Sequence, residues 1–347
     1  MTTSEPSRGV IPESVDLSSE PEPWPLFGLD ADIRPALARA LQAERSAALL
    51  TVYAAIGGAP RGVGAQMLVT SDGKANGYLA GGCVEADAIR HALACLDDGK
   101  PRTLTYGVGG PTDLPLACGG SIEVLIERLD CRDGAARALA SSLEERRSVV
   151  LITDGVHRRC VSIDDTHAHG DEAGATAKPF EAWRLYDPPN RLVVVGSDPT
   201  ALALTELAAR SRIETTLVRP FGPATESPVE GARYRRDSMT DAFSAIGLDR
   251  WTAVVSATHD ADIDHEALYG ALSSHAFYVA AVGSRRRAPE TRARLHDAGL
   301  SEADVDRLHT PAGIALGGRS PGEIAISILA EMIEIDRATR ATRRLNT

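Results

Sequence analysis

Short apolar strands alternate with helical patterns from residue 191 to the end of the chain. The run Leu192-Val193-Val194-Val195 predicts a buried strand, and residues 199–210 predict the helix that follows it. Later strands at 253–256 and 277–282 are again each followed by apolar residues at helical spacing. Such alternation is typical of a parallel sheet with helices on both faces. We therefore predict an α/β fold in which residues 191–347 form a doubly wound, Rossmann-like parallel-sheet domain.

The chain has 347 residues, which is enough for two domains with separate cores. The first half mixes helical and strand patterns, so we expect a mixed α/β N-terminal domain over residues 27–163. Residues 1–26 are rich in Ser, Glu and Pro and predict a disordered leader. Residues 164–190 are acidic, contain Gly and end in Asp187-Pro188-Pro189-Asn190, a composition that indicates a linker.

Two cysteines lie in glycine turns of the N-terminal half. The first turn is Gly81-Gly82-Cys83-Val84-Glu85, and the apolar residues after it recur at helical spacing, which predicts Cys83 at the start of a helix. The positive end of a helix lowers a thiol pKa and so favours the thiolate. This pattern indicates a reactive or metal-contacting thiol. A plain strand-to-helix turn with a small filler residue is the alternative.

The second turn is Cys118-Gly119-Gly120, and the alternating apolar run at 121–126 after it predicts a strand. Cys118 is therefore a candidate second thiol, although the two glycines are equally explained as the beginning of that strand. Cys95 falls on the apolar face of the predicted helix and is expected in the core. Sequence spacing does not determine whether Cys83 and Cys118 share a pocket.

The first strand–turn–helix of the second half departs from the dinucleotide-binding pattern. It reads Gly196-Ser197-Asp198, where a pyrophosphate site requires glycine at the third position. Asp198 is placed to cap the helix that begins at Pro199, and would then occupy N–H groups that a phosphate needs. Arg219 follows the next strand, where it suits the 2′-phosphate of NADP or a site that has lost its nucleotide. We predict a degenerate nucleotide site at Gly196, Asp198 and Arg219, with NAD(P) binding impaired or absent.

Two further loops of this half follow predicted strands, where the carboxyl ends of parallel strands open into a ligand crevice. Thr258-His259-Asp260 follows the strand at 253–256, and a helix cap is the alternative explanation for this motif. Gly283-Ser284-Arg285 follows the strand at 277–282 and offers an anion both backbone donors and charge. A solvated surface run is the alternative for its arginine.

Composition excludes several classes of function. The net charge of −11 and the pI near 5.3 argue against nucleic-acid or anionic-membrane surfaces. Five cysteines without a C-x-x-C pair predict neither a disulfide framework, nor a zinc site, nor an iron–sulfur cluster. Without a signal-peptide pattern or a membrane-spanning apolar run, we expect a cytoplasmic protein. Apolar positions in the last helix, residues 323–335, favour a homodimer.

Together these motifs resemble the XdhC/CoxI family, the accessory factors of xanthine dehydrogenase. The resemblance covers residues 27–336, and its motifs follow the family order. The N-terminal motifs are Pro60-Arg61, Gly64-Ala65, Asp72-Gly73, Gly81-Gly82-Cys83-Val84-Glu85 and Cys118-Gly119-Gly120. The C-terminal motifs are Thr258-His259-Asp260, Tyr278, Gly283-Ser284-Arg285-Arg286, Pro311, Gly313-Ile314, Gly317, Pro321, Glu323-Ile324-Ala325, Ser327-Ile328 and Ala330-Glu331. The chain departs from the family at Gly196-Ser197-Asp198, where the family has Gly-Ala-Gly, and at Arg219, where the family tends to have an acidic residue.

The resemblance implies a protein that binds sulfurated molybdenum cofactor (molybdopterin) and delivers it to a molybdenum hydroxylase such as xanthine dehydrogenase. It also implies a cysteine desulfurase as a further partner, and an insertion factor without turnover of its own. The implied cofactor site is formed by Arg61, Gly81, Gly82, Cys83, Glu85, Cys118, Gly119, Gly120, His259, Asp260, Gly283, Ser284 and Arg285. Cys83 would contact the molybdenum centre or its terminal sulfur, because a thiolate suits a soft metal. Glu85 would orient the site through a hydrogen bond.

Two other functions compete with this interpretation. One is an NAD(P)-dependent oxidoreductase with Cys83 or His259 in its active site, against which Asp198 counts. The other is a nucleotide-free scaffold whose Rossmann-like half docks a partner or forms a dimer. We place the accessory factor first, the scaffold second and the oxidoreductase third. The client, whether an oxidase of purines, aldehydes or carbon monoxide, is not determined by these motifs.

Overall fold

A computed structural model describes residues 26–29, 32–59, 61–82, 84–107, 116, 118–163, 173–177 and 180–345 of the chain. The chain divides into two compact units, residues 1–130 and 131–347. The expected leader, residues 1–26, lies outside the described residues apart from Leu26. None of the described helices combines the length and apolarity needed to span a membrane.

The first unit is a mixed α/β unit built on one five-stranded antiparallel sheet, in the order β3-β2-β1-β5-β4. Its described elements, in chain order, are a 3₁₀ helix (Leu26–Leu29), α1 (Arg34–Gln42), β1 (Ala47–Ile56), β2 (Gln66–Thr70), β3 (Ala75–Gly77), α2 (Glu85–Asp98), β4 (Arg102–Gly107) and β5 (Ser121–Leu129).

The core of this unit lies between α2 and one face of the sheet. The predicted helical stripe of Val84, Ala88, Ala92 and Cys95 is buried against strand residues such as Leu50. The expectation that Cys95 belongs to the core is therefore confirmed. Burial raises the pKa of the Cys95 thiol, so this sulfur stays protonated and is not available as a ligand.

The second unit contains two sheets. Its described elements are α3 (Gly134–Glu144), β6 (Val149–Thr153), β7 (Arg158–Ser162), β8 (Ala173–Ala177), β9 (Phe180–Tyr186), β10 (Arg191–Gly196), α4 (Pro199–Arg210), β11 (Glu214–Val218), β12 (Arg233–Arg235), α5 (Met239–Ile246), β13 (Thr252–Ala257), α6 (Ala261–Leu272), β14 (Tyr278–Ala281), α7 (Ala288–Asp297), α8 (Glu302–Asp306), β15 (Leu308–His309) and α9 (Pro321–Leu345).

The larger sheet is parallel throughout and has the order β12-β11-β10-β13-β14-β15. Apolar clusters lie on both of its faces. Leu204 of α4 and Ile328 of α9 pack on one face, while Phe243 of α5 and Leu268 of α6 pack on the other. The strand order and the two helical layers confirm the predicted doubly wound, Rossmann-like domain.

The smaller sheet corrects the predicted division of the chain. It is antiparallel, in the order β7-β6-β9-β8, and takes β8 and β9 from the residues 164–190 that we expected to be a linker. β9 lacks the alternation of apolar and polar residues that would have predicted a strand. Only Ala182 and Tyr186 of its seven residues are buried. The strand is formed instead by pairing with β6. Residues 131–163, expected in the N-terminal domain, belong to the second unit.

Arg340, in the C-terminal part of α9, forms hydrogen bonds to the connection between β9 and β10. Arg340 donates from Nη1 to Asp187 Oδ2 at 2.7 Å and from Nη2 to Asn190 Oδ1 at 3.1 Å. Its guanidinium also bonds Asp336 one turn earlier and lies 4.7 Å from the ring centroid of Trp251. This cluster joins the end of the small sheet to the helix that covers the large one.

We expect Arg340→Ala to lower the free energy of unfolding of the second unit by about 2–3 kcal/mol, the scale for a half-buried charged group that loses several hydrogen bonds. Chemical denaturation of the purified chain measures this change. The matched control is Arg337→Ala, an exposed arginine on the same helix, with an expected change within about 0.5 kcal/mol. Equal effects of the two substitutions would contradict a specific role for Arg340.

Candidate cofactor-binding site

Several loops of the first unit meet at one edge of its five-stranded sheet. Ile56 at the end of β1 pairs with Ser121 at the start of β5, and Gly107 at the end of β4 pairs with the same serine. The turn that contains Cys118 directly precedes Ser121. It therefore emerges beside the last residue of β1.

The two loops on the other side of β1 reach the same edge. Gln66, the first residue of β2, pairs with Thr51 of β1, and Met67 pairs with Gly77, the last residue of β3. The β1–β2 loop and the β3–α2 loop therefore emerge on the side where β1 ends. The structure thus brings together the loop segments that carry Arg61, Gly81 and Cys118. Pro60 and Cys83 themselves lie outside the described residues.

A buried carboxylate organises the β3–α2 loop. Glu85, which is 3% exposed, accepts hydrogen bonds from five backbone N–H groups at 2.7–3.2 Å. Its Oε1 atom accepts from Leu79, Ala80 and Gly81, and its Oε2 atom accepts from Gly82 and Val84. Both chain neighbours of Cys83 are therefore bonded to the same carboxylate oxygen.

These contacts correct one part of the expected site. The resemblance places Gly81 and Gly82 in the cofactor site, but their N–H groups are not free for an anionic ligand, because both donate to Glu85. The φ angles of +88° and +112° explain why glycine is needed at these positions. The loop has its own internal anion, which also partly neutralises the positive end of α2.

Glu85 carries a negative charge at neutral pH. Burial alone would raise the pKa of its carboxyl group, but the backbone donors of Ala80, Leu79, Gly82 and Gly81 outweigh burial and hold the pKa below its ordinary value. The prediction that Glu85 orients this turn through a hydrogen bond understates the contact, since one side chain binds the whole turn.

Arg61 lies half-buried at the same edge. Its Nη1 atom donates to the carbonyl oxygen of Tyr78 at 2.9 Å, and its guanidinium carbon lies 4.4 Å from the centroid of the Tyr78 ring. Tyr78 connects β3 to the turn that Glu85 binds, so this stacking joins two of the loops. Sequence analysis assigned Tyr78 no role. Its signal, an aromatic residue three positions before a glycine pair, is weak on its own.

The second cysteine turn presents an exposed thiol on a closely packed backbone. Cys118 is exposed, and the N–H of Gly119, which has a φ angle of +72°, donates to Leu116 at 2.9 Å. A Cβ atom on Gly120 would lie 2.7 Å from the carbonyl oxygen of Ile56, so this glycine is required for close approach to β1. The glycines thus serve the beginning of β5, as the alternative held, and the sulfur remains open to a ligand.

The carboxyl edge of the parallel sheet in the second unit forms the other candidate site. The predicted cap is confirmed, since Asp198 Oδ1 accepts from the N–H of Ala201 at 2.7 Å at the start of α4. A Cβ atom on Gly196 would overlap the carbonyl oxygen of Ala257. Glycine at this position is therefore explained by the close approach of β10 to β13, without any phosphate.

The other predicted residues of this edge follow neighbouring strands. His259 Nε2 lies 3.7 Å from Asp198 Oδ2, which places the two side chains in contact. Asp260 caps α6 by accepting from Asp262 and Ile263, the alternative that the sequence left open. The loop after β14 contains three more of the predicted site residues, all exposed: Gly283, Ser284 and Arg285.

Metal-binding clusters are absent from the described ranges, in which no three His, Cys, Asp or Glu side chains are grouped to hold an ion. The two edges offer different chemistry. The edge of the first unit presents an exposed thiol and an aromatic–guanidinium pair around a tightly bound turn. The edge of the second unit has a carboxylate where a phosphate would otherwise bind the α4 N-terminus.

Comparison with known protein families identifies both halves of the chain. A model described as the XdhC Rossmann domain matches residues 192–332, and a model of the XdhC and CoxI family matches residues 40–107. The chain is 30% identical over 297 residues to the molybdenum cofactor insertion chaperone PaoD of Escherichia coli K12, a match that covers 85% of each chain.

Two other relatives extend the comparison. A protein of Bacillus subtilis 168 named as a probable subunit of xanthine dehydrogenase is 26% identical over 330 residues, covering 85% of this chain and 94% of the relative. The crystal structure of a xanthine dehydrogenase from Bacillus halodurans matches with a TM-score of 0.69 at 24% identity, covering 88% of this chain and 96% of that one. This structural likeness supports the fold described above.

We expect Glu85→Gln to lower the free energy of unfolding of the first unit at neutral pH. In acid, the free energy of unfolding of this variant should depend less on pH than that of wild type. The folded-state pKa of Glu85 lies below its ordinary value of 4.5, so its contribution is full above about pH 4.5 and is lost as the pH falls through the folded-state pKa. Urea denaturation at pH 7 is expected to show a loss of about 2–3 kcal/mol.

Repeating the denaturation between pH 5 and pH 3 tests the charge itself. Wild type should lose stability more steeply than Glu85→Gln over this interval. Asp97→Asn, which changes an exposed carboxylate on the same helix, is the control and should follow wild type. Parallel profiles for wild type and Glu85→Gln would show that folding does not lower the pKa of the Glu85 carboxyl group.

A second prediction separates the two contacts of Asp198. Asp198→Ala should destabilise the second unit by about 1 kcal/mol through loss of the helix cap, whereas Asp198→Asn keeps a capping oxygen and should cost less than about 0.5 kcal/mol. Thermal or chemical denaturation measures both variants. Equal destabilisation would assign the effect to the contact with His259 instead of the cap.

Proposed function

Because the chain belongs to the XdhC and CoxI family, we propose that it binds molybdenum cofactor and delivers it to a molybdenum hydroxylase of the xanthine dehydrogenase type. Two relatives support this proposal by their names, one as a molybdenum cofactor insertion chaperone and the other as a probable component of xanthine dehydrogenase. The chain would act as a carrier, without turnover of its own. We further propose that it carries the sulfurated form and receives sulfur through a cysteine desulfurase.

The edge of the five-stranded sheet is the proposed cofactor site. The observation that supports it most directly is the Glu85 carboxylate, which binds the N–H groups on both sides of Cys83. Five hydrogen bonds fix the described residues around this position, including its two chain neighbours, and a ligand residue requires such a fixed surrounding. Cys83 would contact the metal centre or its terminal sulfur, because thiolates suit soft metals.

The other residues of this edge would each contact a different part of the cofactor. Cys118 is exposed and would lie near the metal centre as a second sulfur donor. Arg61 would bind an anionic group of the pterin, since a guanidinium has five N–H donors and the bond to Tyr78 uses one. Gly81 and Gly82 would contact the ligand through their exposed surface, since their N–H groups are bonded to Glu85.

We extend the proposal to a second binding surface, to the oligomeric state and to the cellular location of the protein. His259, Asp260, Gly283, Ser284 and Arg285 would contribute a second binding surface at the edge of the parallel sheet. Two exposed isoleucines on α9, Ile326 and Ile333, fit the expected homodimer. A cytoplasmic location suits a carrier whose proposed thiol ligands must stay reduced.

Retention of molybdenum tests the proposed site. The purified chain is incubated with molybdenum cofactor without oxygen and passed through a gel-filtration column, and the co-eluting metal is measured. Wild type should retain close to one metal per chain. Loss of an outer contact typically weakens metal binding by about 10–100-fold, so Cys83→Ala is expected to lose at least as much.

The control for this experiment is Cys131→Ala, which removes a half-buried thiol of the second unit and should leave retention unchanged. Circular dichroism checks that each variant is folded. Retention by folded Cys83→Ala would refute the proposed ligand. Absence of metal on wild type would refute the carrier function and return the scaffold and the oxidoreductase to consideration.

A further inference from the structure

The loop after β11 displays an aromatic ring in an unusual backbone conformation. Phe221 is 87% exposed and has a φ angle of +56°, in the left-handed region that favours glycine. An exposed phenylalanine neither contributes to the core nor suits this backbone. Strained backbone conformations cluster at functional sites, and exposed apolar surface often indicates a binding site.

The neighbouring strand holds Phe221 in this conformation. Its N–H donates to the carbonyl oxygen of Arg236 at 3.0 Å, and the N–H of Arg219 donates to Arg235 at 2.9 Å. The N–H of Gly222 closes the turn by donating to Arg219 at 3.0 Å, and a Cβ atom on Gly222 would overlap the Tyr234 hydroxyl. The ring is therefore presented by a fixed turn.

Two arginines accompany the ring. Arg219 and Arg236 are exposed, and within the described ranges neither forms an ion pair. The neighbouring arginines of β12 do, since Arg233 pairs with Glu214 at 2.7 Å and Arg235 pairs with Asp237 at 2.6 Å. In a chain with a net charge of −11, two uncompensated guanidinium groups beside an exposed ring form a distinct anion-attracting spot.

The position of this spot within the sheet indicates the kind of ligand. β11 lies next to β10, and the carboxyl ends of parallel strands form the ligand crevice of this fold. At the end of β10, however, Asp198 occupies the start of α4, where a pyrophosphate would bind. The crevice therefore combines an intact aromatic and cationic end with a blocked pyrophosphate position.

We propose that Phe221, Arg219 and Arg236 form a binding site for a planar heteroaromatic ring that carries a single phosphate. The ring stacks on Phe221, and the phosphate binds the two guanidinium groups. A nucleoside monophosphate and a phosphorylated pterin share this chemistry. The nucleotide source is independent of the proposed carrier function, and the pterin source rests on it.

The surroundings of Phe221 favour a small ligand over a protein partner. Docking surfaces between proteins gather several large side chains around their anchors. Among the described residues between Val161 and Tyr269, Phe221 is the single large apolar side chain that is exposed. One exposed ring in this stretch of the chain, accompanied by two cations, matches one stacked heterocycle and its phosphate better than it matches an apolar interface.

Isothermal titration of the full-length chain with AMP, CMP, NADP⁺ and molybdopterin tests this site. At least one of AMP, CMP and molybdopterin should bind. If AMP binds, NADP⁺ should bind no more tightly, because the pyrophosphate position is filled. Phe221→Gly should weaken binding about tenfold or more through loss of stacking. Because glycine accepts a φ of +56°, the melting temperature of this variant should stay unchanged or rise.

The arginines are tested by Arg219→Ala combined with Arg236→Ala, which should weaken binding and reduce its dependence on salt. Arg210→Ala, on α4 and paired with Glu206, is the matched control and should bind as wild type does. Binding of AMP or CMP that depends on Phe221 identifies a nucleotide source. Dependence limited to molybdopterin identifies the pterin source.

Three results would overturn the proposal. The first is that wild type binds neither AMP nor CMP at millimolar concentration and binds molybdopterin equally well with or without the Phe221 ring. The second is that Phe221→Gly binds them as wild type does. The third is that Phe221→Gly keeps probe binding but loses complex formation with a molybdenum hydroxylase, which would assign the ring to protein docking. Molybdenum retention that depends on Cys83 would stand in each case, so failure here is distinguishable from failure of the proposed function.

Discussion

The arrangement of the proposed site depends on one buried carboxylate and the five backbone N–H groups that it accepts. Without Glu85, the turn from Leu79 to Val84 would leave several backbone donors without an acceptor at the start of α2. With Glu85, the turn is bound at both ends and in its middle. The described residues on both sides of Cys83 are therefore held by the chain itself, without a bound ligand to organise them.

The second unit also has a carboxylate at a helix N-terminus, but with a different consequence for ligand binding. Asp198 also places a carboxylate at a helix N-terminus, and it does so where this fold commonly binds a pyrophosphate. The starts of α2 and α4 thus both contain an acidic side chain of the chain itself, as the sequence predicted for α4. An anionic ligand at either helix start must then be recognised by side chains, and each edge offers arginine beside an aromatic ring: half-buried Arg61 at one, exposed Arg219 and Arg236 at the other.

The features that the sequence predicted correctly are those that a local interaction determines. The cap at Asp198 was predicted because a cap involves residues within three positions. The same local chemistry begins α9, where Ser320 and Glu323 bond each other's N–H groups. β8 and β9 were missed, since they bury few apolar side chains, and β9 joins the sheet by pairing with β6, which lies about 30 residues earlier in the chain. The Glu85 contact was foreseen as a single bond, because the curvature of the turn that brings five donors to one carboxylate is not visible in residue spacing.

The sequence by itself determined the alternation of strands and helices, the helical stripe behind Cys83, the blocked glycine turn and the family to which these motifs belong. These features are encoded by side chains a few positions apart, which act through periodicity and local hydrogen bonds. Only the tertiary structure decided that the loops carrying Arg61, Gly81 and Cys118 emerge at one sheet edge, and that Phe221 is exposed in a left-handed turn. Both outcomes depend on strand register, and register is set by pairing between segments that are far apart in the chain.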